Sequence, residues 1–401
     1  MRDADRVARI QAALQAARLD ALVCALPSNV LLVSGYWPVV GTSIAVATRD
    51  GAIGVVVPDD EEELAARSWA DLRETFAPGS LDALAPLVDV VREPLARLFK
   101  RLHLAGGRIG YERGPMLEPS SYAGTNRYLA TIPALLQAIG TTGPIDATEL
   151  LLDLRAALTP GELVRLRLAC RVANDMYRAG VGAIVPGTTE RDVAGGFRAA
   201  LESATVEEDQ ALERAGGFVF CMSGPNSALA YRAYARTRPR RIADADLVMV
   251  HCNSFVDGFW TDITRTFHVR SGDGRVGELF DAVLTARRAA LAAIRPGVRG
   301  RDVDRAARQV LAERGFGPQF KHGTGHGVGF AAIDHNARPR IHPASDDVLE
   351  VGMVFNVEPA VYVEGWGGLR HCDLVAVTGE GAELLTPFQA SLEELAPWLL
   401  V

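Results

Sequence analysis

Most of the histidines in this sequence lie in one part of the chain. Seven of the eight histidines follow residue 250, where three segments combine histidine with carboxylates, arginine or glycine. Imidazoles and carboxylates are the usual ligands of catalytic metal ions, and they also carry protons in hydrolytic reactions. The clustering therefore directs the search for a functional site to these three segments.

The first segment, residues 251–267, predicts two strands joined at Asp257-Gly258. If these two residues form a hairpin turn, His251 pairs with residue 264. His251 and Asp262 then lie on one face as diagonal neighbours, roughly 7–8 Å apart at the backbone. The alternative is a solvated hairpin whose polar side chains point to water.

The second segment, residues 321–330, alternates glycine with other residues and places His322 and His326 four positions apart. Glycines at such a spacing let the backbone approach another group closely, because no Cβ atom intervenes. The lysine and serine or threonine of a phosphate-binding loop are absent, so a nucleotide site is not indicated. The alternative is a glycine-rich turn without a chemical role.

The third segment carries Glu358 within an apolar strand. An unpaired carboxylate buried there would be costly, so we expect a cation or an arginine beside it. Further along, strand alternation puts Arg370 and Cys372 on one face and His371 and Asp373 on the other. The alternative is an amphipathic edge strand whose charges point to water.

The first 150 or so residues predict an α/β unit. An opening helix has one apolar face, and strands are expected at 21–26, 43–48 and 54–57. Helices follow near 59–70 and 81–99, then a short strand at 108–112. No GxGxxG motif follows the first strand, so a dinucleotide site is not indicated.

A second domain begins near residues 153–160. Thr159 is the expected N-cap of a long amphipathic helix, with Pro160 in its first turn. Helices near 160–182, 188–202, 276–294 and 301–314 alternate with strands at 217–223, 246–269 and 352–378. This order predicts an α+β domain with an antiparallel sheet. We therefore divide the chain into domains 1–155 and 156–401.

The composition excludes several classes of protein. The chain has 401 residues, 48% of them hydrophobic, and a formal net charge of −7, which disfavours nucleic acid as a partner. Its five cysteines form no CxxC pair, so we expect a reducing compartment. The start does not resemble a signal peptide and no long apolar run is present, so we expect a cytoplasmic protein without membrane contact.

Taken in order, these motifs resemble the creatinase, aminopeptidase P, prolidase and methionine aminopeptidase superfamily. The resemblance covers nearly the whole chain. It rests on the stretches RLDALV, ALTPGELVRLRLA, GPNSALAY, DGFWTDITRTF, HGTGHGVG, LEVGMVFNVEP and GGLRHCD. It implies the pita-bread fold, in which two helix pairs cover an antiparallel sheet, preceded by a smaller creatinase-type α/β domain.

The resemblance also implies a set of metal ligands. Metallopeptidases of this superfamily hold two divalent ions with Asp, Asp, His, Glu and Glu. Here the corresponding residues are His251, Asp262, His326, Glu358 and Cys372. All five can ligate a metal, but two carboxylates have been replaced, and the softer ligands shift preference from Mn²⁺ towards Zn²⁺. We expect one or two ions, with a metal-free site as the alternative.

The expected activity is hydrolysis of a peptide or amide C–N bond in a small substrate or dipeptide. The family implies an Xaa-Pro dipeptidase or aminopeptidase that uses a metal-activated water. Glu358 or a nearby carboxylate is predicted to take a proton. The residues expected to hold the substrate and the oxyanion are His322, His335, Tyr231 and Arg370. Tyr231 itself replaces a family histidine.

Two alternatives remain open. One is a metal-independent hydrolase similar to creatinase or ectoine hydrolase, and the other is a catalytically inactive pita-bread binding protein. Family membership also implies a homodimer, in which N-terminal loops complete the neighbour's site. Tyr36-Trp37-Pro38 is the candidate loop, the alternative being an aromatic group packed on its own domain.

Overall fold

The computed structural model describes residues 2–39, 43–78, 86–113, 131–203, 213–233, 236–269 and 274–396. The chain divides into two compact units, Met1–Arg155 and Ala156–Val401. Among the described residues, no helix has both the length and the apolar character needed to cross a lipid bilayer.

The first unit contains a mixed six-stranded sheet. Its strands are β1 (Ala21–Cys24), β2 (Ile44–Thr48), β3 (Ile53–Pro58), β4 (Leu72–Phe76), β5 (Ile109–Tyr111) and β6 (Ile145–Asp146). They are ordered β4-β3-β2-β1-β5-β6. The pairs β1–β2 and β2–β3 are antiparallel, whereas β3–β4, β1–β5 and β5–β6 are parallel. The predicted α/β character of this unit is confirmed.

Within the described part of this unit, six α-helices flank these strands in sequence. They are α1 (Ala4–Ala16), α2 (Pro27–Ser34), α3 (Glu62–Ala66), α4 (Leu87–Arg101), α5 (Thr131–Ala138) and α6 (Thr148–Ala156). Helix α4 buries Val91, Leu95, Leu98 and Phe99, and this spacing of three and four places one apolar face on the sheet. Part of the helix predicted over 81–99 falls on residues 79–85, which lie outside the described residues.

The helix predicted over 59–70 is shorter than expected. A 3₁₀ turn (Asp59–Glu61) leads into α3, which ends at Ala66. The backbone N–H of Trp69 donates to the carbonyl of Ser34 at 3.0 Å instead of to a helical carbonyl. This tertiary hydrogen bond draws the chain away from the helix axis.

The second unit contains three antiparallel sheets, which confirms the α+β prediction. Its strands are β7 (Ala215–Ser223), β8 (Leu247–Val256), β9 (Phe259–His268), β10 (Val354–Val357), β11 (Ala360–Val363), β12 (Gly367–Arg370), β13 (Asp373–Val377) and β14 (Ala382–Leu384). The sheets have the orders β7-β8-β9, β10-β13-β14 and β11-β12. Residues Thr264 and Cys372 form an antiparallel bridge that joins β9 to the connection between β12 and β13.

Two helix pairs pack against these sheets. The helices of this unit are α7 (Pro160–Gly180), α8 (Glu190–Glu202), α9 (Ala230–Ala233), α10 (Gly274–Ala293), α11 (Gly300–Glu313) and α12 (Leu392–Leu395), with 3₁₀ helices at Val181–Ala183, Gly224–Leu229 and Gly317–Gln319. Helices α7 and α8 pack together and contact β7–β9, while α10 pairs with α11 and contacts β10–β12. Thr159 caps α7 in a reciprocal capping box with Glu162, as its sequence predicts.

The hairpin of β8 and β9 has the predicted register. Asp257 and Gly258 have φ angles of 46° and 85°, so both turn residues occupy the left-handed region that a tight hairpin requires. His251 accordingly lies opposite Thr264, and Asn253 lies opposite Asp262. His251 and Asp262 are therefore diagonal neighbours.

Candidate active site

The β8–β9 hairpin is buried, so the solvated alternative for this segment is wrong. His251 and Asp262 are 2% and 1% exposed, respectively. The Nδ1 atom of His251 lies 3.6 Å from Oδ1 of Asp262. The structure thus brings together the imidazole and carboxylate that the hairpin register predicted.

The two ring nitrogens of His251 are both engaged by protein groups. Nε2 lies 2.9 Å from Oδ1 of Asn253, and Nδ1 lies 3.0 Å from Oγ1 of Thr264. Because an amide oxygen only accepts, Nε2 carries the proton and Nδ1 accepts from the Thr264 hydroxyl. That hydroxyl oxygen accepts in turn from Nε of Arg370 at 3.1 Å. His251 therefore has no lone pair left for another partner.

The glycine-rich segment lies directly on β10. The backbone N–H of Asn356 donates to the carbonyl of His326 at 3.1 Å, and that of Glu358 donates to Thr324 at 2.8 Å. A Cβ atom on Gly325 would lie 1.8 Å from the carbonyl oxygen of Asn356. At Gly325, the close approach that the glycines allow is thus an approach to a neighbouring backbone. It places His326 beside β10, which ends one residue before Glu358.

The side chain of Asn356 lies between three of the predicted ligands. Its Oδ1 atom accepts from the backbone N–H of His326 at 2.7 Å, which fixes the orientation of the amide. Its Nδ2 atom then faces Nε2 of His326 at 3.1 Å, Oδ2 of Asp262 at 3.4 Å and Sγ of Cys372 at 3.6 Å. Asn356 is completely buried.

Cys372 takes part in the same cluster as a thiol. Its Sγ atom lies 3.3 Å from the backbone carbonyl oxygen of Asp262 and 3.7 Å from Oδ1 of the same residue. Burial, reinforced by the charges of Asp262 and Glu358, raises the pKa of the Cys372 thiol well above its usual value. The thiol therefore stays protonated near neutral pH and donates towards Asp262.

Glu358 lies beside an imidazole and a guanidinium group. Its Oε1 atom is 3.8 Å from Nδ1 of His322, and its Oε2 atom is 3.8 Å from Nη1 of Arg370. His322 also contacts the hydroxyl of Tyr362 through Nε2 at 3.0 Å and the carbonyl of Gly323 through Nδ1 at 2.8 Å. At 3.8 Å, neither oxygen of Glu358 lies within hydrogen-bond distance of these nitrogen atoms of His322 and Arg370.

A cavity of about 470 Å³ opens beside Glu358. Its lining includes four residues that the sequence predicted for the site, namely His322, His326, His335 and Glu358. Arg340 and His342, which follow His335 in the chain, also line it. The ring of His335 packs edge-on against that of His326, with 4.9 Å between centroids. Four of the predicted site residues thus line one cavity.

Tyr231 packs against Tyr362. Their ring centroids are 5.3 Å apart, and the hydroxyl oxygen of Tyr231 accepts from Nε of Arg232 at 2.6 Å. Through Tyr362, which contacts His322, this ring adjoins the same group of side chains. In the first unit, Tyr36 is buried and its hydroxyl contacts Glu61, so that ring packs on its own domain.

Burial sets the charge of most of the histidines. It lowers the pKa of His251 and of His335 to about 4, and it lowers the pKa of His322 below its usual value. These three rings are neutral at pH 7. Burial alone would raise the pKa of Asp262, but His251, His326 and Arg370 outweigh burial and lower it to about 2.

His326 is subject to two opposing influences. Burial lowers its pKa, but the hydrogen bond and the charge of Asp262 outweigh burial and raise the pKa above its usual value. The amide of Asn356, however, donates to Nε2, and Nδ1 lies 3.0 Å from the carbonyl of Gly327. Because the amide contact is shorter than the 3.4 Å contact to Asp262, we take the ring as neutral, with its proton on Nδ1.

The donor set does not fit the metal centre that the family resemblance implies. Among the residues that the structure describes, which include all five predicted ligands, no three His, Cys, Asp or Glu side chains are placed to hold a metal ion. The lone pair of His251 is used by Thr264 and that of His326 by Asn356. An imidazole nitrogen coordinates a metal through that same lone pair.

Three residues of this site were missed by sequence reasoning: Asn356, Tyr362 and Thr264. A signal for Asn356 was available, because it precedes Glu358 by two positions and strand alternation puts both on one face. Thr264 was implied by the hairpin register as the residue opposite His251. Nothing in the sequence pointed to Tyr362.

The alternative of an edge strand with solvated charges is wrong for the third segment. Arg370, His371, Cys372 and Asp373 are all at most 4% exposed. The two faces predicted by alternation are occupied by different partners. Arg370 faces Glu358, whereas Asp373 contacts a pair of buried arginines.

Comparison with known proteins agrees with this architecture. Residues 164–379 match the profile of metallopeptidase family M24, and residues 6–156 match the creatinase/prolidase N-terminal domain. The crystal structure of the prolidase from Pyrococcus horikoshii OT3 superposes with a TM-score of 0.74 at 26% identity, over 95% of this chain and 98% of that one. The pita-bread fold is thereby confirmed.

Two curated relatives carry dipeptidase names. The probable dipeptidase PepE of Mycobacterium tuberculosis is 36% identical over 249 residues, which are 62% of this chain and 63% of that protein. The Xaa-Pro dipeptidase of Pyrococcus furiosus is 31% identical over 244 residues, 61% of this chain and 67% of that protein. The match thus spans slightly less than two thirds of the mycobacterial dipeptidase. The M24 match alone, over residues 164–379, covers more than half of the 401 residues. The chain therefore belongs to metallopeptidase family M24.

Proposed function

We propose that this chain hydrolyses the C–N bond of a small peptide or amide bound in the cavity beside Glu358. One observation carries the proposal. The Glu358 carboxylate lies at the cavity wall, 3.8 Å from an imidazole nitrogen of His322 and 3.8 Å from a guanidinium nitrogen of Arg370. A carboxylate held without short hydrogen bonds to these groups can accept a proton from water. Family membership supports the same reaction class.

The reaction needs one water molecule and no other reactant. The water oxygen bonds to the carbonyl carbon while Glu358 accepts a water proton. The positive charge of Arg370 stabilises the oxyanion that develops on the carbonyl oxygen. The C–N bond then breaks, and the proton passes from Glu358 to the leaving nitrogen. The products are a carboxylic acid and an amine.

The size of the cavity suits a dipeptide. Its volume of about 470 Å³ lies within the ~300–1,000 Å³ typical of small-molecule sites. We infer an Xaa-Pro dipeptide or peptide N-terminus as substrate, since relatives named dipeptidase support that class. His322, His335 and Tyr231 are proposed to hold the substrate, and no step is assigned to a metal because the donor set does not fit one.

The Glu358→Gln variant tests this function. Glutamine keeps the shape of the side chain but accepts protons poorly, so kcat should fall by about 10²–10⁴-fold, the usual contribution of a general base. The matched control is Glu350→Gln, at an exposed glutamate paired with Arg338. Turnover of Xaa-Pro dipeptides by the wild type, lost in the first variant and kept in the second, supports the proposal. Equal turnover by all three contradicts it.

Asn356 is equally consistent with a second candidate, an amidohydrolase similar to creatinase or ectoine hydrolase, which acts on a different class of substrate. Its amide contacts three predicted ligands of the family's ions. Assaying creatine and ectoine beside the dipeptides separates the two classes. A chain that turns over none of them is better described as a binding protein.

The assembly and location of the protein are also proposals. We infer a cytoplasmic homodimer of chains with domains 1–155 and 156–401. The dimer is what the family resemblance implies. Sedimentation of the purified chain at twice its 43.0 kDa mass is the expected result, and a monomer contradicts it.

A further inference from the structure

We propose that the side-chain amide of Asn356 takes the place of a metal cation, so that this chain binds no divalent ion at Asp262, His326 and Cys372. The inference concerns the same site as the proposed function and deepens it. Its experiment measures metal binding without any substrate, so either proposal can fail while the other stands.

The amide is held in one orientation by its own backbone neighbours. Oδ1 of Asn356 accepts from the backbone N–H of His326 at 2.7 Å, and the Asn356 N–H donates to the His326 carbonyl at 3.1 Å. A flipped amide would direct its NH₂ group at that backbone N–H, and two donors would then face each other. The NH₂ group must therefore point into the ligand cluster.

The NH₂ group and a cation compete for the same electron pairs. Nε2 of His326 has a single lone pair, because its other nitrogen faces the Gly327 carbonyl at 3.0 Å and carries the proton. That lone pair meets the Asn356 amide at 3.1 Å. A metal at the usual ~2.0–2.1 Å from an imidazole nitrogen would need this position. Binding of an ion at His326 thus requires Asn356 to leave.

The same amide also contacts the other two predicted ligands, Asp262 and Cys372. Oδ2 of Asp262 lies 3.4 Å from Nδ2 of Asn356, and Sγ of Cys372 lies 3.6 Å from it. The sulfur also lies 3.3 Å from the carbonyl oxygen of Asp262, where a thiol can donate. The potential ligand atoms of this cluster therefore accept hydrogen bonds from groups of the chain itself.

His251, the second predicted imidazole ligand, also has its lone pair engaged by a protein group. Its acceptor nitrogen meets the hydroxyl of Thr264 at 3.0 Å, and its other nitrogen donates to Asn253 at 2.9 Å. In two of the five predicted ligand positions, the electron pair needed by a metal is thus already used within the protein. An amide that merely filled space would not face three potential ligand atoms.

The test is calorimetric titration of the metal-stripped full-length chain with MnCl₂ and, separately, with ZnCl₂. The wild type should give no saturable binding at this site. A double variant with the family carboxylates, His251→Asp/Cys372→Glu, keeps the amide. The triple variant adds Asn356→Thr, which removes the NH₂ group. We expect the triple variant to bind at least tenfold more tightly than the double variant.

The matched control is Asn29→Thr, made in the wild-type background. Asn29 is also a buried asparagine that donates to a buried carboxylate, Glu112, at 2.7 Å, but it lies in the first unit. This control should gain no metal binding. Stoichiometric binding by the wild type overturns the proposal, and so does equal affinity of the double and triple variants.

The wild-type measurement remains decisive if the variants do not fold. The electron paramagnetic resonance signal of free Mn²⁺ should be undiminished by one equivalent of the wild-type chain. Loss of that signal overturns the proposal. Xaa-Pro hydrolysis that continues in excess chelator supports both proposals. No hydrolysis with no metal bound contradicts only the proposed function.

Discussion

Two aspartates in the second unit are almost completely buried, yet they are neutralised in different ways. Asp373 contacts Nη2 of Arg265 at 2.7 Å and Nε of Arg287 at hydrogen-bond distance. Asp262 has no guanidinium in such contact among the described residues, and its side-chain neighbours include the amide of Asn356 and the ring of His326, each at 3.4 Å. One carboxylate is paired with cations of the chain, and the other faces neutral donors.

The difference distinguishes a carboxylate that supports the fold from one that belongs to the candidate site. Burying an unpaired carboxylate is costly, so a carboxylate that only supports the fold needs a fixed cation. Asp373 meets that need with two arginines, and Thr386 adds a hydroxyl at 3.1 Å. Asp262 is one of the predicted metal ligands, and the Asn356 amide beside it supplies only partial positive charge. The two aspartates should therefore respond differently to the same substitution.

The largest expected effect is that of Asp373→Asn. This change leaves Arg265, which is completely buried, without its carboxylate partner. Breaking a buried ion pair from one side usually costs about 3–5 kcal/mol, and we expect that loss in the free energy of unfolding measured with urea. The control is Asp346→Asn, at an exposed aspartate bound to Arg299, which should cost less than about 1 kcal/mol. Equal losses would contradict the comparison.

The Asp373 pair also predicts a pH dependence. Burial would raise the pKa of Asp373, but Arg265, His371 and Arg287 outweigh burial and hold the pKa far below its usual range. A lowered pKa stabilises the fold above the unfolded-state pKa of ~3.9, and this contribution is lost as the pH falls. The stability gap between wild type and Asp373→Asn should be constant from pH 5 to 8 and shrink below about pH 4. A gap that widens in acid would refute this assignment.

The same substitution at Asp262 should cost less. Its contacts with Nδ2 of Asn356 and Nε2 of His326 are both 3.4 Å long and come from groups without a full charge. Asp262→Asn should therefore lower the free energy of unfolding by only about 1–3 kcal/mol, the usual cost of a lost buried hydrogen-bond partner, measured in the same urea titration at pH 7. A loss as large as that of Asp373→Asn would mean that a full cation also neutralises Asp262.

The smallest expected effect is that of Cys372→Ala. The substitution removes a weak thiol donor to Asp262 and a weak acceptor for Asn356. Cys252→Ala is the matched control, since its thiol is also buried and donates to the sulfur of Met176 at 3.6 Å. We expect Cys372→Ala to cost about 1 kcal/mol more than the control. No difference would show that the thiol does not support the Asp262 cluster.

Much of the fold could be predicted from local sequence signals. Asp257-Gly258 specified a tight turn, and a two-residue turn leaves one register, so the pairing of His251 with Thr264 followed. Thr159 and Pro160 specified the start of α7 for an equally local reason. The shortened α3 was not predictable, because it depends on a hydrogen bond from Trp69 to the distant Ser34.

The candidate site was predicted less completely. The resemblance directed attention to the five ligand positions, while the residue that lies between three of them, Asn356, was overlooked. The burial of Asp373 could not be predicted either, because the arginines that neutralise it come from β9 and α10, far away in sequence. Long-range pairing of this kind leaves no periodic signal in the chain. The predicted roles of His322, His335, Glu358, Tyr231 and Arg370 await the assays above.

The central claim is that the Asn356 amide stands where the family places a cation. Crystals of the wild type soaked in MnCl₂, with diffraction data collected above the manganese absorption edge, test it most directly. We predict no anomalous peak within ~2.0–2.3 Å of the Asp262 carboxylate or of Nε2 of His326, with the amide nitrogen still at hydrogen-bond distance from that ring. An anomalous peak between these atoms, with Asn356 turned away, would contradict the account.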